Sequence, residues 1–206
     1  FPAAIAYGNN SDTVNIDNNL ITENTYRYHQ DWNSNSRNYH MHAAGISPIN
    51  YSTNPYAVIE NNTIRSNVLI DQGRSSESAY LYSAGISYNP PSTTGRQTTI
   101  QNNVIEENLL DIFDGNGVEH AFSAGVYLSS NSDSLSFKNN TIVGNTVSNG
   151  FDHAYSGGVY VKSPTYDVSI ISSTISQNQG KKAGGIAYEG RGEINGCTIT
   201  LNTATN

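Results

Sequence analysis

Residues 61–67 read NNTIRSN, and the phrase keeps returning: NNLITEN at 18–24, NNVIEEN at 102–108, NNTIVGN at 139–145, SSTISQN at 172–178 and GCTITLN at 196–202. The second residue of each copy serves as a register mark: Asn19, Asn62, Asn103, Asn140, Ser173 and Cys197. Two positions later stands Ile21, Ile64, Ile105, Ile142, Ile175 or Ile199, and five later Asn24, Asn67, Asn108, Asn145, Asn178 or Asn202. Three positions earlier the residue is again apolar: Ile16, Ile59, Ile100, Phe137, Ile170 or Ile194. Four positions repeating in step over six copies define an internal repeat, which has to be settled before any local reading.

A second phrase alternates with the first: AAIAY at 3–7, AGIS at 44–47, AGISY at 84–88, AGVYL at 124–128, GGVYV at 157–161 and GGIAY at 184–188. Each period therefore predicts three short strands: one at Gly-Ile, one ending at the register pair and one at Ile-x-x-Asn. The marks are 43, 41, 37, 33 and 24 residues apart. The shortest interval matches one bare coil of a three-stranded solenoid, so the surplus in earlier periods reads as loops. The predicted fold is all-β, a single parallel β-helix over residues 1–206 with about five to six coils spaced by roughly 4.8 Å. Inward Ile residues would stack as a ladder. Asn would sit at the corners and bond its equivalents above and below. The small residue before each Ile (Gly45, Gly85, Gly125, Gly158, Gly185) suits a corner where a Cβ would crowd the next coil.

The stretches after each Ile-x-x-Asn unit shorten steadily, from TYRYHQDWNSNSRNYHMH at 25–42 to QGKKA at 179–183. They predict a loop lobe tapering along one edge. His40 and His42, Tyr80 and Tyr82, His120 and Phe122, and His153 and Tyr155 precede the glycines with the parity of the inward Ile. They are expected to extend a strand into the lobe and pack on Leu109, Leu110, Ile112 and Phe113.

The two phrases resemble the GGA-(I/L/V) and F-x-x-N repeats of chlamydial polymorphic outer-membrane proteins. They are also similar to the GGIY…STISGNTA repeats of secreted bacterial β-helix proteins. The stretches that carry this are GGIAYEGRGEINGCTITLNTATN at 184–206 and SIISSTISQNQGKKAGGI at 169–186. The resemblance implies a right-handed coil and a surface-exposed or secreted passenger region with an adhesive or structural role. It brings no catalytic residues.

Of the 206 residues 36% are hydrophobic and only 13% charged, a balance that suits a β protein rich in turns. A net charge of −7 with scattered cations argues against nucleic acid, and no apolar run is long enough to span a membrane as a helix. Cys197 is the one cysteine, so no internal disulfide forms, and its corner column predicts a buried thiol. The opening FPAAIAYG lacks Met, which fits either removal of a leader, with an extracellular setting, or processing from a longer precursor.

Chemistry is sought on this frame because the fold also hosts polysaccharide-degrading enzymes. Glycoside hydrolysis needs converging carboxylates. The acidic residues instead change identity along their columns: Asp17, Glu60, Gln101, Lys138 in one, Glu23, Ser66, Glu107, Gly144 in another. No catalytic residue is assigned, and a polysaccharide lyase or hydrolase is the weakest reading. Asp111, Asp114, Asn116 and Glu119 in DIFDGNGVE could offer oxygens to calcium, although the stretch is also an ordinary turn. His120 and His153 share a column and could hold a transition metal. Tyr26, Tyr28, Trp32 and Tyr39 would suit stacking on sugar rings, making a glycan-binding or adhesin module the alternative function. Ice binding would need an outward Thr array, and no column is expected to supply one.

The ends shape the leading expectation. The chain opens in a Gly-Ile strand (Ala4, Ile5, Tyr7) and closes past an Ile-x-x-Asn strand (Ile199, Leu201, Asn202), without an obvious cap. Unpaired strands invite another chain. The expected function is therefore an extracellular structural β-solenoid that self-assembles head to tail into a fibre. Its partners are copies of itself, with polysaccharide or cell-surface glycan as a further possibility.

Overall fold

The repeat becomes structure through its corners. The computed structural model describes residues 3–7, 13–28, 39–48, 56–71, 79–89, 98–112, 119–129, 134–148 and 153–205. Among these the chain is all-β, and each strand pairs in parallel with its equivalent one period away. Ile21 lies beside Ile64, Ile64 beside Ile105, Ile105 beside Ile142, Ile142 beside Ile175 and Ile175 beside Ile199, as the register marks require. Stacked parallel sheets of this kind are consistent with a β-solenoid.

Four sheets result. Sheet I carries the Gly-Ile strands (Ile5–Tyr7, Ile46–Pro48, Ile86–Tyr88, Val126–Ser129) and the strands before the register pair (Thr13–Asp17, Tyr56–Glu60, Thr98–Gln101, Leu135–Lys138). The two rows merge in the long strands Val159–Ile171 and Ile186–Asn195, where no loop separates them. Sheet II holds the Ile-x-x-Asn strands, from Leu20–Thr22 to Thr198–Thr200. Sheets III and IV were not both foreseen. Sheet III (Thr25–Tyr28, Val68–Asp71, Leu109–Ile112, Thr146–Val147, Gln179–Gly180, Thr203–Ala204) is built from residues that read as loop. Sheet IV (Tyr39–Ala43, Ala79–Ser83, Glu119–Ser123, His153–Ser156) is the strand extension into the lobe.

Each corner between sheets I and II, and between II and III, uses one device. The residue before each ladder position (Asn, except Ser173 and Cys197) is left-handed, with φ of 48–58° at Asn18, Glu23, Asn61, Ser66, Asn102, Glu107, Asn139, Ser172, Gln177 and Leu201. Gly144 and Gly196 fill the two remaining corner positions, at 66° and 63°. The Asn that follows then catches the carbonyls the bend leaves bare. Asn62 Nδ2 donates to Glu60 O at 2.8 Å, to Ile16 O at 2.8 Å and to Asn103 Oδ1 at 3.0 Å. A left-handed L residue crowds its Cβ against the carbonyl, and only Gly, Asn and Asp bear this readily. Leu201 holds φ 55° while 73% exposed. Leu201→Asn is therefore expected to raise stability by about 1 kcal/mol, read as a higher urea midpoint at unchanged slope.

Among the described residues two aliphatic cores run along the stack, beside a third, aromatic cluster. Ile16, Ile59, Ile100, Phe137 and Ile170 of sheet I meet Ile21, Ile64, Ile105, Ile142 and Ile175 of sheet II. Separately, Leu69, Leu110 and Val147 of sheet III meet Met41, Leu81, Ala121 and Ala154 of sheet IV. This second core explains a change within the repeat, from Ala84-Gly85 and Ala124-Gly125 to Gly157-Gly158 and Gly184-Gly185. Ala84 and Ala124 pack into the lobe core. Where the lobe runs out, sheet III closes on the corner. A Cβ on Gly157 would lie 2.4 Å from the Gln179 backbone, and one on Gly184 2.3 Å from Thr203 N.

Candidate functional site

The chemistry-bearing side chains gather on sheet IV, on the face turned away from its aliphatic core. Alternation along each strand sends Met41, Leu81, Ala121 and Ala154 one way and the rings the other. The expected packing of these rings on Leu110 is thereby corrected. The parity inherited from the inward Ile does not survive the turn at Ala84-Gly85, so the rings meet the outer face of sheet I instead. Ile112 lies in a sheet III strand with its side chain undescribed, and Phe113 lies outside the described residues.

Two columns of stacked rings result. In the outer column His40, Tyr80, His120 and His153 follow one another at centroid separations of 5.0, 4.8 and 4.7 Å, with planes within 14°. In the inner column His42, Tyr82, Phe122 and Tyr155 are spaced by 4.7, 4.9 and 5.5 Å. Tyr127 and Tyr160 of sheet I close the notch from the other side, 4.9 Å from Tyr82 and 4.6 Å from Tyr155. The Lys182 ammonium covers Tyr155 at 3.8 Å, and Tyr160 Oη donates to Glu189 at 2.8 Å.

The electrostatics follow from burial. Burial, with His40 adding to it, brings His42 down from 6.5 to about 4, and burial also lowers His40. His40 Nδ1 and Tyr82 Oη lie 2.7 Å apart. Burial pushes the Tyr127 phenol up to about 12 and raises that of Tyr160 as well.

This arrangement bears on each expected site. Parallel imidazoles stacked at 4.7 Å point their in-plane lone pairs side by side, so His120 and His153 do not converge on one ion. Ring faces that a sugar would stack on are occupied by neighbouring rings. Tyr26 packs partly buried against the lobe core and lines a shallow pocket with Ala3, Ala4, Asn24, Thr25 and Ala44. Tyr28 and Tyr39 lie in strands with undescribed side chains, and Trp32 lies outside the described residues. Asp111 ends up in sheet III and Glu119 in sheet IV, whereas Asp114 and Asn116 lie outside the described residues. Glu23, Ser66, Glu107 and Gly144 prove to be left-handed corner residues. In the other acidic column Asn61 Nδ2 donates to Asp17 Oδ1 at 2.9 Å, and Gln101 Nε2 donates to Glu60 Oε2.

One outward column was missed. The sheet II register places Thr63, Val104, Thr141, Thr174 and Thr198 in line. The strip is broken by Val104 and flanked by Arg65 and Glu106 in the adjoining column. Its signal, the residue between each register mark and its Ile, was visible in the repeat.

The two ends of the stack differ. In the first layer Ile16 and Ile21 are only 5% exposed and Tyr7 7%, with Ala4 N and Ile5 N bonded to Ala44 O and Gly45 O. In the last layer Ile194 and Ile199 are 44% and 48% exposed, and Leu201 stands out beside them. Cys197 is half-buried there rather than buried, its Sγ 3.5 Å from Ile170 O. The Asn ladder between the ends is directional: at each interior step of the second column, N–H and Nδ2 of one Asn donate to Oδ1 of the next. The run passes from Asn24 through Asn67, Asn108, Asn145 and Asn178 to Asn202.

No protein-family model, curated protein or solved structure matches this chain.

Proposed function

We propose that the chain is an extracellular structural β-solenoid: a single right-handed parallel β-helix of about five to six coils whose copies add end to end into a fibre or matrix filament. The observation that carries this reading is the directional Asn ladder, whose donor side at Asn202 and acceptor side at Asn24 are complementary. Asn202 offers the N–H and Nδ2 that donate onward at every interior step, and Asn24 offers the Oδ1 that accepts. Strand edges of the last layer, Thr198–Thr200 and Thr203–Ala204, have their equivalents in Leu20–Thr22 and Thr25–Tyr28 of the first. Exposed Leu20, Ile194, Ile199 and Leu201 supply the apolar contact. With Ile16 and Ile21 already covered, strand edges and Asn amides carry the junction rather than Ile stacked on Ile. The likeness to secreted passenger repeats supports the extracellular setting.

Electron microscopy of the purified chain at several concentrations tests this. Fibres with an axial repeat of about 29 Å, roughly six layers at the parallel strand spacing, are expected. Ile199→Lys should abolish them by placing a charge in the junction, yet leave a folded monomer because the position is half-exposed. Monodisperse short rods at every concentration, or fibres indifferent to Ile199→Lys, would overturn the proposal.

A further inference from the structure

One phenol of the ring columns has a base within reach. His40 Nδ1 and Tyr82 Oη lie 2.7 Å apart. The register of Tyr39–Ala43 on Ala79–Ser83 sets His40 beside Tyr80, and the imidazole stacks on Tyr80 at 5.0 Å and on Tyr82 at 5.8 Å. Tyr82 is buried and His40 exposed, so a proton that leaves this phenol has a way to water. Burial holds His40 below the ordinary imidazole value, which keeps the ring neutral at neutral pH with a lone pair to accept a proton.

Rings surround the pair closely enough to pass an electron. Tyr82 lies 4.9 Å from Phe122 and 4.9 Å from Tyr127. Tyr127 lies 5.7 Å from Tyr160, which is 4.6 Å from half-buried Tyr155. Removing an electron from a phenol makes its O–H a strong acid, so the vacancy settles where a base takes the proton. Tyr127 is hydrogen-bonded to Ser129, whose hydroxyl is no base at neutral pH. Tyr160 donates to the Glu189 carboxylate, and carboxylates are ordinarily weaker bases than imidazole. The Lys182 ammonium over Tyr155 opposes positive charge on that ring.

We propose that Tyr82 and His40 form a proton-coupled redox site for one-electron oxidants. The oxidant gains one electron from Tyr82 by way of the neighbouring rings. The Oη–H bond of Tyr82 breaks, and its proton forms a bond to His40 Nδ1, the imidazole keeping its own proton on Nε2. A neutral tyrosyl radical and an imidazolium remain, beside an oxidant reduced by one electron. The separation of 2.7 Å is within the reach that proton transfer needs. Buried among rings, the radical is kept from coupling with another in solution, so the site is a sink for oxidising equivalents. This inference does not depend on end-to-end assembly.

Flash photolysis of the full chain with a ruthenium tris-bipyridine complex and a sacrificial acceptor, which together generate the ruthenium(III) oxidant, tests it by electron paramagnetic resonance. A tyrosyl signal is expected in the parent chain and in Tyr160→Phe, and should fall roughly tenfold or more in Tyr82→Phe. Phe122 already stands in this column, so Tyr82→Phe keeps the stack. His40→Phe leaves Tyr82 in place and removes the base, and its radical lifetime should shorten roughly tenfold or more. Should Tyr82→Phe fail to fold, His40→Phe, at an exposed position, carries the test with Tyr160→Phe. A signal undiminished in Tyr82→Phe, one lost in Tyr160→Phe, or a lifetime unchanged in His40→Phe would overturn the proposal.

Discussion

Gly85→Ala is expected to leave almost no folded protein at 25 °C, whereas Gly144→Ala folds. A Cβ on Gly85 would lie 2.3 Å from Gly125 O and 3.0 Å from Ile105 Cγ2. The nearest atom is backbone, so no rotamer change relieves the clash. Neither layer can retreat, because Ile86 N bonds Gly125 O at 3.0 Å and Gly45 N bonds Ala84 O at 2.9 Å. Parting the layers breaks these bonds and opens the Ile core beside them. The cost of several kcal/mol is comparable with the total stability of an ordinary domain, about 5–15 kcal/mol. Gly144 has φ +66° but open space, its added Cβ meeting Glu107 Cγ only at 3.7 Å. It should lose about 1 kcal/mol, the left-handed penalty alone. Far-UV circular dichroism with urea titration of both variants checks this; a cooperatively folded Gly85→Ala chain would show that the layer spacing is soft.

Asn108→Leu comes next in size. The side chain is fully buried and nearly isosteric with Leu. Its Oδ1 accepts from Asn67 N at 3.1 Å and Asn67 Nδ2 at 3.0 Å, and its Nδ2 donates to Ile64 O at 3.0 Å. Leu removes these bonds; Asn67 Nδ2 keeps Ile21 O, whereas Asn67 N and Ile64 O each lose a buried partner at about 1–3 kcal/mol, so a loss of about 2–6 kcal/mol is expected. The same change at Asn24, in the first layer and part-buried, removes its bonds to Thr22 O and Asn67 Oδ1 nearer to water, and should cost less than half as much. Equal urea midpoints for the two variants would mean that the ladder is not a buried network.

Both positions were legible in the sequence, because layer-to-layer contact forces equivalent residues into one column. A position that must bond its own copy cannot drift, and Asn24 to Asn202 keeps step across intervals of changing length. Sheet III was not legible. Only the first two residues of Leu109–Ile112 have partners in the shorter Thr146–Val147, and only Thr146 pairs onward with Gln179, so comparison between periods dissolved the strands into loop. The left-handed corner residues carry no shared signature either, being Asn, Ser, Glu, Gln, Gly and Leu in turn. What unites them is a dihedral angle, set at the residue before each ladder position, which is Asn except at Ser173 and Cys197. The ring columns were found as residues but faced the wrong way, because strand parity was carried through the Ala-Gly turn as though the chain ran straight.

The corner pair has an evolutionary consequence. Each left-handed residue and its Asn close the bend using only the layers directly above and below, so every layer brings its own fastening. An in-frame duplication or deletion from one register mark to the next would restore both ladders at the seam wherever it fell. The molecule's length is thus free to change in whole layers of roughly 4.8 Å, whatever the size of the segment carried between marks.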